Sequence, residues 1–381
     1  MHKAMRVLTL TPFYPSASDD AWGCFVAEPL DALKNFDVES YVIAVEPFYR
    51  SRSTPNGHRA HWVRYATLPG SLGLASSGSF LYWRILSTVS KLHSARPFDL
   101  IHAHAALPCG SAASLLSREL RVPFVITIHG LDVFFTRQVR GYLGQWCKDS
   151  AERVYGSARQ VICISRRVAE ELTADRNDIK ATVIHNGVDE RRFCPAEDRN
   201  EDAIILSVGD LIPSKGHELL LQAFAAIHQK YTKASCEIIG DGPQSTVLSR
   251  WAERLNIASK VRFLGRKSRQ EVTRAIQRCT IFALPSEYEG LGCVYLEAMS
   301  AGKPAIGCRG QGIEDIIQHA QNGWLIEPGD VGNMVCALST LLDDAELRTR
   351  LGSAARKTIT REFTLKHQAE RLAHVYRECM A

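Results

Sequence analysis

The sequence has 381 residues and a mass of 42.4 kDa, which at roughly 100–200 residues per domain predicts two domains. Hydrophobic residues make up 45% and charged residues 23%, which excludes a disordered, collagen-like or coiled-coil chain. The net charge of +5 is spread evenly, with 21 basic against 18 acidic residues up to position 190 and 25 against 23 after it; no basic arm marks a nucleic-acid binder.

The opening Met1-His2-Lys3-Ala4-Met5-Arg6 leads into only a short apolar stretch before Pro12, which predicts a mature cytoplasmic chain without a secretory leader. In chain order, Arg6 to Thr11, Leu100 to Ala103, Pro123 to His129 and Gln160 to Ser165 read as buried strands, each followed by helical periodicity or a polar turn. Between the first two, Tyr65 to Trp83 is too polar and too broken by Pro69 and three glycines to span a membrane. A charged segment at 189–202 interrupts the βαβ pattern, which restarts with strands at Ala203 to Val208, Cys236 to Ile239, Val261 to Leu264, Thr280 to Leu284 and Ala305 to Gly307. Continuous apolar runs such as Phe124-Val125-Ile126 and Ile204-Ile205-Leu206 suit strands covered on both faces. Each half therefore reads as a doubly wound parallel sheet of Rossmann type, α/β in class, with ligands expected at the carboxyl ends of the strands in the cleft between two facing domains. The boundaries expected are 1–195, 196–362 and a closing helix at 363–381, where Leu365, Ala369, Leu372, Val375 and Tyr376 share one face. The eleven cysteines include no C-x-x-C pair and read as buried free thiols of a reducing compartment.

The strongest chemical signal is Pro285-Ser286-Glu287-Tyr288-Glu289-Gly290-Leu291-Gly292-Cys293-Val294-Tyr295-Leu296-Glu297. It follows a strand and opens a helix, so the amides near Gly292, Cys293 and Val294 lack intrahelical partners and favour a phosphate. Glu289 before the helix and Glu297 about a turn inside it flank that position with carboxylates that can accept hydrogen bonds from sugar hydroxyls. Taken alone, the two glutamates read more readily as a helix-start carboxylate and a solvated face residue.

This block resembles the E-x7-E element of the family 4 retaining glycosyltransferases, which have the GT-B architecture of two Rossmann-like domains. The resemblance runs along nearly the whole chain. It takes in Phe13-Tyr14-Pro15 with Gly23-Cys24-Phe25, Ile101-His102-Ala103-His104, Thr127-Ile128-His129-Gly130 with Asp132, and Ile184-His185-Asn186-Gly187-Val188-Asp189. It continues through Val208-Gly209, Lys215-Gly216, Gly240-Asp241-Gly242-Pro243, Val261 to Gly265, Ala301-Gly302-Lys303-Pro304, Asn322-Gly323 and Pro328-Gly329-Asp330.

The resemblance implies that Glu297 holds the donor ribose and Glu289 the hydroxyls of the transferred sugar. By the same resemblance Gly290, Leu291, Gly292, Cys293 and Val294 line the donor phosphate and sugar, Lys215 reaches the diphosphate, the loop at Gly23 closes over it, and His129 stands beside the sugar. Glu289, His129 and Lys215 are the implied catalytic residues. Asp210 departs from the family, in which an arginine often joins the lysine on the phosphates; Arg309 and Lys303 are the candidate replacements for that cation. His102 and His104, inside a strand, read as packing residues. With no D-x-D, H-E-x-x-H or paired cysteines in the sequence, no metal and no cofactor are expected, the nucleotide sugar being a substrate.

From Pro47 to Phe98 the chain carries Arg50, Arg52, Arg59, Arg64, Arg84, Lys91 and Arg96 and no acid, interleaved with Trp62, Tyr65, Phe80, Tyr82 and Trp83. Such a stretch reads equally as a solvated face over core aromatics and as a surface for anionic lipid on the inner side of the cell membrane. The expected function is hexosyl transfer with retention, from a nucleotide sugar, UDP ahead of GDP, to a saccharide or lipid-linked saccharide in cell-surface polysaccharide synthesis. A non-catalytic nucleotide-sugar-binding partner or sensor is the alternative. A Rossmann oxidoreductase is disfavoured, because Thr9 to Pro15 contains no glycine.

Overall fold

The computed structural model describes residues 4–16, 19–49, 60–67, 71–130, 141–174, 178–196 and 203–380; Arg50, Arg52, Arg59, Pro69 and Asp132 lie outside them. The chain forms two compact units, Met1–His185 with Lys366–Ala381, and Asn186–Leu365.

In the first unit the elements in chain order are β1 (Met5–Thr11), α1 (Cys24–Ala32), β2 (Val38–Pro47), β3 (Ala60–Tyr65), α2 (Ser71–Ala95), β4 (Leu100–His104), α3 (Ser111–Leu120), β5 (Phe124–Ile128), α4 (Gly141–Ser157), β6 (Gln160–Cys163), α5 (Arg166–Thr173) and β7 (Ala181–Val183). The seven strands form one parallel sheet in the order β3-β2-β1-β4-β5-β6-β7. Every residue of β1, β4 and β5 is buried, as both-face coverage of a parallel sheet requires.

The second unit holds β8 (Ala203–Val208), α6 (His217–Ile227), β9 (Ala234–Ile239), α7 (Ser245–Arg254), β10 (Val261–Phe263), α8 (Arg269–Arg278), β11 (Ile281–Ala283), α9 (Cys293–Ser300), β12 (Ala305–Cys308), β13 (Trp324–Ile326), α10 (Val331–Asp343) and α11 (Ala345–Glu362). Its six strands are again all parallel, in the order β10-β9-β8-β11-β12-β13. The core joins Ile205, Cys236, Ile281 and Ile306 of the sheet to Leu220 and Phe224 of α6 and Met334, Leu338 and Leu341 of α10.

Both sheets reverse direction once, between β1 and β4 and between β8 and β11. The strand ends on either side of that reversal open a crevice, which is where open parallel sheets bind ligands.

Four strands escaped the sequence reading. β2 and β3 carry Glu39, Ser40, Glu46, His61 and Arg64 among their apolar residues, because they lie at one side of the sheet; β7 and β13 are only three residues long. The strand expected from Gln160 to Ser165 stops at Cys163, since the Ser165 hydroxyl caps α5 by accepting from the Val168 N–H at 3.2 Å. Residues 186–195, expected to close the first domain, pack within the second unit: the Arg356 guanidinium donates to the Phe193 carbonyl at 3.1 Å, and the Asn186 amide donates to Cys293 Sγ at 3.2 Å.

The last helix, α12 (Leu365–Met380), belongs with the first unit from Lys366 on. Its Ala369, Leu372, Ala373 and Tyr376 join Val7, Val26, Leu30 and Leu100 in the core. The Tyr376 hydroxyl lies 2.6 Å from His102 Nδ1, and the other ring nitrogen lies 2.8 Å from Thr127 Oγ1. A neutral imidazole donates to one of these and accepts from the other, so both partners are satisfied without charge. Burial, reinforced by His129, pushes the His102 pKa down to about 3.

Two consequences can be measured by urea denaturation. Tyr376→Phe leaves a buried ring nitrogen without its partner and lowers stability by about 1–3 kcal/mol. Because His102 protonates near 6.5 when unfolded but only near 3 when folded, its contribution is full above pH 6.5 and falls by about 1.4 kcal/mol per unit as the pH drops towards 3.

Candidate active site

In the second unit the site is built on the two loops that leave β8 and β11, the central strands. The first loop runs from Gly209 through a single 3-10 turn at Pro213–Lys215 into α6. The second runs from Leu284 to Gly292 and opens α9. Backbone bonds hold one against the other: the Ser214 carbonyl accepts from the amides of Glu287 at 2.9 Å and Tyr288 at 3.3 Å.

Lys215 and Glu289 meet on these loops, with Nζ donating to Oε2 at 2.5 Å and side chains only 18% and 12% exposed. The Glu289 backbone is fixed in turn, since its N–H donates to Gln311 Oε1 at 2.9 Å and its carbonyl accepts from the Gly312 N–H at 3.0 Å. The carboxylate is thus held on a rigid stem rather than on a free loop.

Gly292 caps α9 in the left-handed region at φ 78°. A Cβ there would fall 2.5 Å from the Tyr295 ring and 3.1 Å from Glu289 Cγ, so both backbone conformation and space demand glycine. The first amides of α9, from Cys293 and Val294, point out of the helix start and carry the positive end of its dipole. Gly290 and Leu291 lead up to this turn, Leu291 being buried. The Cys293 thiol is pushed up to about 12 by burial and stays protonated, so it offers no thiolate there.

Glu297 lies one turn further along α9, buried to 3% exposure. Its carboxylate is bridged by the Arg269 guanidinium, whose own plane lies over the Phe193 ring at 4.8 Å. Arg269 escaped the sequence reading; the signal available was its place at the start of α8, directly after Ser268, which forms a capping box with Glu271. Of the cations considered as a replacement beside Asp210, neither is there: Arg309 pairs with Glu314 at 3.4 Å and Glu327 at 3.3 Å, and Lys303 lies on a different cleft. The cation near Asp210 is Arg266, whose Nη2 stands 3.8 Å from Oδ1 with both groups about half exposed.

In the first unit, Gly23 caps α1 at φ 75°, and a Cβ there would strike the Tyr14 backbone at 2.3 Å. His129 follows β5 directly. Its ring stands among Phe13, at 5.4 Å between centroids, and Phe25, at 5.0 Å, so the Gly23 loop and His129 are brought together. His104, read from the sequence as packing, is more than that: its Nδ1 lies 3.0 Å from His129 Nε2 with the rings stacked. Burial pushes His129 down to about 3 and His104 well below the ordinary range, so both are neutral at pH 7 and share one hydrogen-bonding proton between these nitrogens. Among the described residues no group of three or more His, Cys, Asp or Glu side chains could hold a metal ion.

Residues 25–192 match the family described as Glycosyltransferase Family 4, and residues 190–358 match Glycosyl transferases group 1. The putative teichuronic acid biosynthesis glycosyltransferase TuaC of Bacillus subtilis is 25% identical over 402 residues, covering 98% of each chain. Among solved structures, the sucrose-phosphate synthase of Thermosynechococcus elongatus superposes with a TM-score of 0.79 at 20% identity, over 98% of each chain. HepE of Anabaena, in complex with UDP-glucose, superposes with a TM-score of 0.75 at 19% identity, over 98% of this chain and 100% of its own. With two parallel Rossmann-like sheets and family matches that run almost end to end, the chain belongs to the group 1 glycosyltransferases of the GT-B fold.

Proposed function

We propose that the chain moves a hexosyl unit from a UDP-sugar to a saccharide acceptor hydroxyl with retention of configuration, without metal or cofactor. The observation that carries this reading is the pairing of Lys215 with Glu289 beside the open amides of α9, all at the carboxyl ends of adjacent central strands. When a diphosphate arrives, Lys215 turns from the carboxylate to the phosphate oxygens, and Glu289 is released to accept hydrogen bonds from the sugar. Glu297, held by Arg269, accepts from the ribose hydroxyls. The amides of Gly292, Cys293 and Val294, with Gly290 and Leu291 shaping the turn, face phosphate and sugar. In the first unit, Gly23 and His129 are the residues proposed for a donor role.

In the reaction the bond from the anomeric carbon to the diphosphate oxygen breaks and a bond from the acceptor oxygen to the same face of that carbon forms. The acceptor proton passes to the departing phosphate oxygen. Negative charge grows on the diphosphate as this happens, and a lysine placed for it stabilises the transition state more than the ground state. The neutral His129 takes no charge in this step.

A UDP donor is supported by the UDP-glucose complex of the structurally similar HepE. A cell-surface polysaccharide role is supported by TuaC, whose name places it in teichuronic acid biosynthesis. The non-catalytic alternative rests on Asp210, whose carboxylate is paired with Arg266 at 3.8 Å.

The chain is also proposed to work peripherally on the cytoplasmic face of the membrane, holding a lipid-linked acceptor. No described helix is long and apolar enough to cross a membrane. Within the 47–98 stretch Tyr65 and Tyr82 are buried, and Arg64 and Arg96, themselves about half exposed, pair with Glu46 at 2.9 Å and Glu39 at 2.6 Å. Among the described residues α2 exposes a stripe in which Phe80, Trp83, Arg84 and Lys91 follow helical spacing.

A thermal-shift screen against UDP, GDP, ADP and their sugars tests the donor site. A ligand at 100 times its Kd adds about 2.7 kcal/mol, and this gain is expected for UDP compounds and lost in Glu297→Gln. An equal shift in the variant would remove Glu297 from the site. Lys215→Ala is expected to lower kcat by roughly 100-fold or more, as loss of one charge-stabilising group does. For the membrane, Trp83→Ala should reduce co-sedimentation with phosphatidylglycerol vesicles severalfold; binding that is unchanged when the anionic lipid is replaced by neutral lipid would end that part of the reading.

A further inference from the structure

On the second unit, and sharing no residue with the donor loops, lies a cleft of about 580 Å³, within the size range of small-molecule sites. One wall is the face of α11 that carries Ala345, Arg348, Thr349, Gly352, Ser353, Arg356 and Lys357. Opposite it are the end of α8 with Arg278, the Ala301–Pro304 turn with Lys303, and Pro195 with Ala196. The two walls can close because Gly352 packs on the Gly302 backbone, where a Cβ would fall 2.0 Å from the carbonyl oxygen.

Five cations line this cleft, and none of its described lining residues is acidic. Part of the charge is answered from within. Arg356 Nη1 donates to the Ser300 carbonyl at 2.7 Å and to the Phe193 carbonyl at 3.1 Å, Arg348 Nη1 donates to the Leu342 carbonyl at 3.0 Å, and Arg278 bridges the buried Glu237. The carboxyl ends of α8 and α9 contribute roughly half a negative charge each. Among the described residues about three positive charges are left over. Residues 197–202 lie outside the described residues.

The anchored guanidiniums are the telling feature. Each is fixed through one nitrogen to a carbonyl or a buried carboxylate, and the remaining N–H groups of Arg278, Arg348 and Arg356 have no partner among the described residues. Lys303 and Lys357 make no side-chain hydrogen bond there either, and Lys303 is half-buried. Fixed planar forks with free N–H groups match phosphate oxygens, and two lysines add mobile point charges. A concave cleft of this size suits a soluble ligand rather than a flat bilayer.

We propose that this cleft is a second anion site, which binds a soluble small molecule carrying two or more phosphate groups through Arg278, Lys303, Arg348, Arg356 and Lys357. Burial lowers the pKa of Lys303, a cost that a bound phosphate would offset.

Isothermal titration calorimetry with inorganic tripolyphosphate tests this, using the full chain carrying Lys215→Ala so that the donor lysine does not contribute. One saturable site per chain is expected. Adding Lys303→Gln with Lys357→Gln should weaken it at least tenfold, about what the loss of one charge-assisted hydrogen bond produces. Ser353→Glu, which puts a carboxylate on an exposed position of the same wall without removing any contact, should weaken it similarly. Absence of a saturable site, or affinity unchanged in both variants, would overturn the proposal. Phosphatidylglycerol vesicles bound through Lys303 and Lys357, with no tripolyphosphate binding, would overturn the assignment to a soluble ligand.

Discussion

A lysine and a carboxylate held 2.5 Å apart, with less than a fifth of either side chain exposed, is the constraint around which the loops of the second unit are arranged. Either charge alone at that depth would cost on the order of 3–5 kcal/mol, so each needs the other while nothing else is bound. The rest of the local structure follows from keeping them together. Ser214 ties the two loops, Gln311 and Gly312 fix the Glu289 backbone, and Gly292 lets α9 start without pushing Glu289 away. The pair then serves as a placeholder. In the proposed reaction a diphosphate would satisfy the lysine and a sugar the glutamate, exchanging one internal interaction for two external ones.

The same logic of charge balanced locally runs through the buried polar groups. Glu297 is matched by Arg269, and Glu237, fully buried, by Arg262 and Arg278. In the first unit the opposite solution is used. His102 hydrogen-bonds to Thr127 and to the tyrosine of the last helix, and His104 to His129, all three as neutral rings, so no counter-ion is required. The cleft lined by Lys303 and Lys357 stands out because its positive charge is not balanced by the described residues around it.

Much of this was legible in the sequence. Strands covered on both faces, such as β1, β5 and β8, announced themselves as continuous apolar runs, and the E-x7-E block located Glu289, Gly292 and Glu297 on one loop and helix. What sequence could not supply was pairing in space. Lys215 and Glu289 are 74 positions apart, Arg269 and Glu297 28, and His102 and Tyr376 274, and no local pattern marks any of them as partners. His104 was read as packing for the same reason, since its contact with His129 crosses between neighbouring strands. Strands β2 and β3 were missed because polar residues break their apolar runs. The basic run from 47 to 98 looked unopposed only because its acids, Glu39 and Glu46, precede it in the chain.

The most direct test of the placeholder role is the affinity of UDP for Glu289→Gln, measured by isothermal titration calorimetry beside the parent chain. UDP carries the diphosphate but no sugar, so it must break the Lys215–Glu289 pair without giving the glutamate a new partner. Removing the carboxylate frees the lysine in advance, and UDP should bind Glu289→Gln more tightly than the parent. Equal or weaker binding would mean that Lys215 does not move to the diphosphate, and would contradict the account.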